Sequence, residues 1–162
     1  MATSNKITST SELKMTHTFE ATPEQVFDAF ITPETAKKWY MSTPESCKLW
    51  ENDPVVGGSY TIIRDHAGTE MKAVGKYLEI DRPRRLHYTF QMPQFSEGQD
   101  PMTAEFAPVE KGTELTFTQV INLIHDADQD KAITDEMLKQ YVDSSRESWG
   151  WMFLGLEKVL KE

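Results

Sequence analysis

Apolar positions alternate along Leu13, Met15 and Phe19, with His17 in the same phase. A period of two predicts a strand with one buried face. Thr22-Pro23-Glu24-Gln25 comes next and predicts a helix start, with Thr22 as cap, Pro23 in the first turn and Gln25 closing a capping box. Val26, Phe27 and Phe30 give that short helix its apolar face, and Thr32-Pro33-Glu34 repeats the device for a second short helix ending near Trp39. From Ser46 to Asn122 the pattern is that of strands. Gly57-Gly58 separates a segment ending near Trp50 from one beginning near Ser59, and His66-Ala67-Gly68-Thr69 forms another turn. Met71 to Ile80 is long enough to predict a bulge, placed at Gly75. Leu86, Tyr88 and Phe90 alternate with polar neighbours, as do Met102, Ala104 and Phe106. After a turn at Lys111-Gly112, Leu115, Phe117, Gln119, Ile121 and Leu123 share one phase. Strands at this spacing with short connections predict an antiparallel meander.

The period then changes to that of a helix, from about Thr134 to Leu160. At about 100° per residue, Met137, Tyr141, Val142, Ser145, Ser148, Trp149, Met152, Phe153, Leu156, Val159 and Leu160 fall within an arc of roughly 160°. Ser145 and Ser148 occupy the middle of this face, and Gly155 its edge, where a helix lying flat on a sheet carries Leu or Ile. Small residues there predict unfilled volume between helix and sheet. Trp151 and Leu154 fall outside the arc, where they would face solvent unless they pack on a neighbouring loop or mark a self-association or partner surface.

The fold class is therefore α+β: a curved antiparallel sheet of about six to seven strands, two short helices after the first strand, and a long C-terminal helix across the concave face. The chain of 162 residues divides into a loosely held lead-in over 1–12 and one domain over 13–162. Its formal charge of −9 argues against nucleic acid and anionic membrane surfaces, and no stretch approaches the length of a membrane span. Cys47 is the single cysteine, so no internal disulfide can form, and Met1 to Glu12 lacks the apolar core of a signal peptide. A cytoplasmic location is the expectation.

Candidate chemistry is sparse. His17, Gln119 and Ser145 are polar residues in phase with buried positions, and each needs a hydrogen-bond partner from protein, ligand or water. His87 falls on a polar face, His66 in a turn and His125 in a loop, with no companion at metal-ligand spacing. Asp126, Asp128 and Asp130 resemble the start of a calcium loop, but Lys131 and Met137 stand where its glycine and bidentate glutamate belong. Nucleophile elbow, phosphate loop, dinucleotide fingerprint and zinc-helix motifs are absent, and no two carboxylates fall side by side on a predicted inward face. Neither a metal nor a cofactor is expected.

The order of elements resembles the helix-grip fold of the START and Bet v-like (SRPBCC) superfamily. Within it, the chain is similar to the branch of homologues of the activator of the 90-kDa heat-shock protein ATPase. The likeness is carried by Ala21-Thr22-Pro23-Glu24-Gln25-Val26-Phe27-Asp28-Ala29-Phe30, Thr32-Pro33-Glu34, Trp39, Val56-Gly57-Gly58-Ser59-Tyr60, Gly75 to Ile80, Pro83, Leu86, Gly112-Thr113-Glu114-Leu115-Thr116 and Gly150-Trp151. The resemblance implies a hydrophobic-ligand cavity between helix and sheet, and some such relatives are cyclases, aromatases or lipid carriers. The eukaryotic activator pairs such a domain with a separate N-terminal chaperone-binding domain; none is expected within these 162 residues, which counts against a co-chaperone role.

Three functions are consistent with this pattern. The first is a binding module for an apolar or amphipathic small molecule, its pocket lined by His17, Tyr88, Phe106, Phe117, Gln119, Ser145, Ser148, Trp149 and Met152. The second is a polyketide cyclase- or aromatase-like enzyme in which His17 or Gln119 orients a carbonyl. The third is a chaperone-interacting protein or homodimer that uses Trp151 and Leu154 as its contact surface.

Overall fold

The computed structural model describes residues 5–162. In chain order the elements are β1 (Lys6–Phe19), α1 (Pro23–Ile31), α2 (Pro33–Ala36), β2 (Cys47–Asn52), β3 (Ser59–His66), β4 (Thr69–Asp81), β5 (Arg85–Phe90), β6 (Asp100–Val109), β7 (Gly112–Asp126) and α3 (Lys131–Leu160). The seven strands form one sheet in the order β1-β7-β6-β5-β4-β3-β2, with antiparallel pairing throughout. β1 returns to pair with β7, so the short helices cross from one edge of the sheet to the other. With α3 packed on β1 and β7, this is a helix-grip α+β fold.

Local signals explain the elements. The Thr22 hydroxyl accepts from the Gln25 backbone N–H at 3.2 Å, and the Gln25 side chain accepts from the Thr22 N–H at 2.9 Å. This reciprocal box and Pro23 start α1, whose Val26, Phe27, Ala29 and Phe30 are buried. Gly112 has φ +144°, and a Cβ there would run into the Phe19 carbonyl, so this turn requires glycine. Asp130 caps α3 by accepting from the Ala132 N–H at 2.8 Å.

Three expectations need correcting. Residues 1–4 lie outside the described residues, but 6–12 are not a loose lead-in: they extend β1, pairing from Lys6 opposite Asp126 onward. Their Ser/Thr-rich sequence hides the strand because the backbone ladder, not a buried side-chain face, holds it. The irregularity in β4 falls between Tyr77 and Glu79 rather than at Gly75, which pairs in register with Tyr60. A Cβ at Gly75 would meet the Thr89 carbonyl and the Tyr60 ring, so its glycine serves close approach rather than a bulge. His125 is not in a loop but ends β7, buried, with the Ser9 hydroxyl at 2.7 Å and the Asp126 carbonyl at 2.8 Å.

The core divides in two. The larger cluster runs from Leu13 and Phe19 through the helical aromatics to Trp149, Phe153 and Leu156. A smaller one holds Ile121, Leu123 and Leu138. Between them α3 carries only half-buried Val142, which packs against both clusters, and half-buried Ser145. Among the described residues no helix is long and apolar enough to cross a membrane.

Candidate functional site

Aromatic side chains fill the centre of the grip. Trp149 projects from α3 onto Phe117, with ring centroids 4.6 Å apart, and Tyr40 packs against it at 5.4 Å. Phe153 continues the layer at 5.4 Å from Phe117, and Phe106 is enclosed by Phe27 and Phe30, each at 5.3 Å. Tyr88 belongs to a second group with Tyr40, Tyr60 and Tyr77. The Tyr40 and Tyr88 hydroxyls are 2.8 Å apart, Tyr60 donates to the Thr89 carbonyl at 2.6 Å, and Asn52 donates to the Tyr77 oxygen at 2.9 Å. Burial, as the largest cause, pushes all four phenols above their ordinary value, Tyr77 to about 12. The void they enclose with Phe30, Trp50 and Leu86 measures about 10 Å³, water-sized and too small for an organic ligand.

Usable volume lies beside this plug, in the gap between the two core clusters. A cavity of about 330 Å³ is bounded by Phe90, Gln91, Met92, Phe95, Ser96, Gly98, Asp100, Gln119, Ile121, Asn122, Leu123, Tyr141 and Ser145. β5 and its following segment form one wall, β7 the floor and the first half of α3 the roof. Ile121 and Leu123 continue the inward phase of β7 past Gln119, while Phe95 is 60% exposed at the mouth. The wall is predominantly apolar.

Its polar feature is a chain of hydrogen bonds at the inner end. Trp149 Nε1 donates to Gln119 Oε1 at 3.0 Å, Gln119 Nε2 donates to Asp100 Oδ2 at 2.9 Å, and the Asn122 backbone N–H donates to Asp100 Oδ1 at 2.9 Å. Asp100 has no ion-pair partner among the described residues. Burial raises its pKa above the usual carboxylate value, opposed by the bonds from Asn122 and Gln119. Each oxygen already accepts one bond and has further acceptor capacity.

The structure brings Gln119, Ser145, Trp149 and Phe117 together around this site, with the first two on its wall and the aromatic pair closing its inner side. It separates the others. His17 sits between β1 and α3, its ring 4.5 Å from Phe19 and its Nε2 3.8 Å from Glu157. Gln119 pairs with Leu13, four residues along β1 from His17, so the two polar side chains stand roughly 13 Å apart along the sheet. They do not converge on a shared carbonyl. Ser148 is exposed and, with Met152, borders a different groove. The 160° arc was too wide: residues in contact with the sheet form a narrow stripe through Leu138, Val142, Ser145, Trp149 and Phe153, and Ser148 lies about 100° round the helix from Trp149. The thin middle of the helix thus opens beneath Ser145, not beneath Ser148.

Phe90, Met92, Phe95, Asp100, Ile121, Leu123 and Tyr141 were missed as site residues. For Asp100 a signal existed: it extends the Met102-Ala104-Phe106 phase by one step and is therefore an inward carboxylate. Among the described residues no group of three or more His, Cys, Asp or Glu side chains is placed to hold a metal ion.

No curated protein matches the sequence. Similar solved structures include SA2116, a Staphylococcus aureus protein of unknown function, with 23% identity over 95% of both chains and a TM-score of 0.87. CV1439 from Chromobacterium violaceum has 24% identity, covers 93% of this chain and 98% of its own, and has a TM-score of 0.72. Ara h 8.0201 shares 15% identity over 95% of this chain and 100% of its own, with a TM-score of 0.70. At these identities the likeness shows the helix-grip fold. The family model described as Activator of Hsp90 ATPase homolog 1-like protein matches residues 20–160. The chain therefore belongs to the Activator of Hsp90 ATPase homolog 1-like protein family.

Proposed function

We propose that the domain is a non-catalytic binding module for a small, mostly apolar molecule that lies between α3, β7 and the β5–β6 segment and offers a hydrogen-bond donor to Asp100. The observation that carries this reading is the 330 Å³ cavity with one uncompensated carboxylate at its inner end. Ligand sites span about 300–1,000 Å³, so the volume selects a compact ligand rather than a long lipid. Covering ~300 Å² of apolar ligand surface yields about 7 kcal/mol before ordering costs, enough for micromolar binding to a preformed wall. Separation of His17 from Gln119 leaves the cyclase-like reading without a converging pair. Titration with 1-aminoanthracene, a flat apolar amine, tests the proposal: its fluorescence should saturate at one molecule per chain. Absence of saturable binding by this probe and by neutral aromatic alcohols of similar size contradicts it.

A second reading rests on Trp151 and Leu154, which are 70% and 47% exposed on the outer side of α3. Such residues suit contact with a partner protein, and the family name makes a heat-shock protein ATPase the partner to try. Stimulation of that ATPase by the chain, lost in Trp151→Ser/Leu154→Ser, supports it; no stimulation at saturating chain concentration ends it.

A further inference from the structure

A second cavity, of about 360 Å³, lies on the other side of α3, between its C-terminal half and the segment joining α2 to β2. Met41, Met152, Trp39 and Trp151 provide apolar wall, and Arg64 reaches it from the sheet. Arg64 follows Tyr60 and Ile62 in the inward phase of β3, so a guanidinium occupies a position where the strand's pattern calls for a buried apolar side chain. Its Nε is buried and has no hydrogen-bond acceptor among the described residues, and no carboxylate there lies within ion-pair distance of the group. A buried donor without an acceptor is costly, and a guanidinium is built to grip a planar anion through two parallel bonds.

The neighbouring groups narrow the anion. Lys38, the other cation on the wall, is neutralised by Glu162 at 2.9 Å. One uncompensated positive charge in a chain of net charge −9 suits a monoanion better than a doubly charged phosphate. Among the described residues the Met41 backbone N–H, held at a left-handed φ of 56°, has only the Met152 sulphur as acceptor at 3.3 Å, a weak partner that leaves a second donor beside the groove. Exposed Trp151 and half-buried Met152 supply surface for an apolar body next to this charge.

We infer that this groove is a second ligand site, distinct from the Asp100 cavity, which takes an amphipathic monocarboxylate: the carboxylate on Arg64 and the apolar body along Met152 and Trp151. The two cavities thereby have opposite preferences, donor-bearing molecules on one side of α3 and acids on the other.

Titration of the full chain with decanoate and with decan-1-ol tests this, each affinity being read from the shift of the Trp151 indole N–H resonance at the groove, so that alcohol bound in the Asp100 cavity does not enter the comparison. Decanoate should bind about tenfold more tightly than the alcohol and shift the Trp151 resonance. Arg64→Gln should erase the tenfold preference, Arg64→Lys should keep part of it, and Ser145→Trp, in the other cavity, should leave it intact. Equal affinity for acid and alcohol, an unchanged preference in Arg64→Gln, or a preference lost in Ser145→Trp each overturns the assignment. Should Arg64→Gln fail to fold, Arg64→Lys and the Trp151 shift in the unaltered chain decide it: no shift at saturating decanoate refutes the site.

Discussion

The indole N–H of Trp149 donates to the side-chain oxygen of Gln119 at 3.0 Å, across the interface between α3 and β7. This bond fixes which way the Gln119 amide points and so aims its N–H₂ group at Asp100. One core contact thereby sets the polar end of the adjoining cavity. Replacing Gln119 with Leu leaves the Trp149 donor and one Asp100 acceptor without protein partners. The variant should be less stable by about 1–3 kcal/mol in urea unfolding, at the scale of a buried unsatisfied polar group. Unchanged stability would show that the chain of bonds contributes nothing to the fold.

Ser145 and Ser148, three residues apart, should respond oppositely to the same change. Ser145→Trp places an indole in the 330 Å³ cavity and should weaken 1-aminoanthracene binding at least about tenfold. Ser148→Trp, on the exposed side, should leave binding within about twofold of the unaltered chain. Fluorescence titration of both variants checks the pair, with circular dichroism confirming the fold.

Asp100 predicts a pH dependence with a defined sign. Burial raises its folded pKa above the ordinary value of 3.8, so in the window between that value and its own the folded chain retains a proton that the unfolded chain has released. Stability from this group is therefore greatest at the acid end of the window and falls as pH rises through it. Urea midpoints of the parent minus those of Asp100→Asn should fall across the window. A difference that is flat, or rises with pH, contradicts the assignment.

The buried phenols predict delayed alkaline titration. The chain has five tyrosines, and four of them, Tyr40, Tyr60, Tyr77 and Tyr88, have raised pKa values. Between the ordinary value of 10.0 and those raised values the folded chain holds protons that the unfolded chain has lost, so stability falls as pH climbs. Phenolate absorbance should leave these four silent until the sheet unfolds, when they ionise together. Stepwise ionisation of all five without loss of the near-ultraviolet dichroism would rule out the buried cluster.

The fold was readable because caps, turns and strand phases are local: the Thr22–Gln25 box, Pro33 and the Lys111–Gly112 turn each act within four residues. Residues 6–12 escaped because their pairing with β7 depends on a partner more than a hundred positions away. The site was half readable. Ser145 and Gln119 announce themselves as polar residues in a buried phase. The filling of the centre was not visible, because whether Tyr40 from the α2–β2 segment and Trp149 from α3 meet is decided by three-dimensional packing at 5.4 Å. Nor could spacing alone tell that α3 contacts the sheet along a narrow stripe, which moves Ser148 out of the pocket.

The account turns on where a compact apolar molecule sits. Isotope-filtered nuclear Overhauser spectra of the methyl-labelled chain, saturated with 1-aminoanthracene, locate it directly. Cross-peaks from the ligand to the methyl groups of Ile121 and Leu123, with none to Met152, are the predicted result. Cross-peaks confined to Met41 and Met152, or none at saturation, would contradict the assignment of the cavity between α3 and β7 as the binding site.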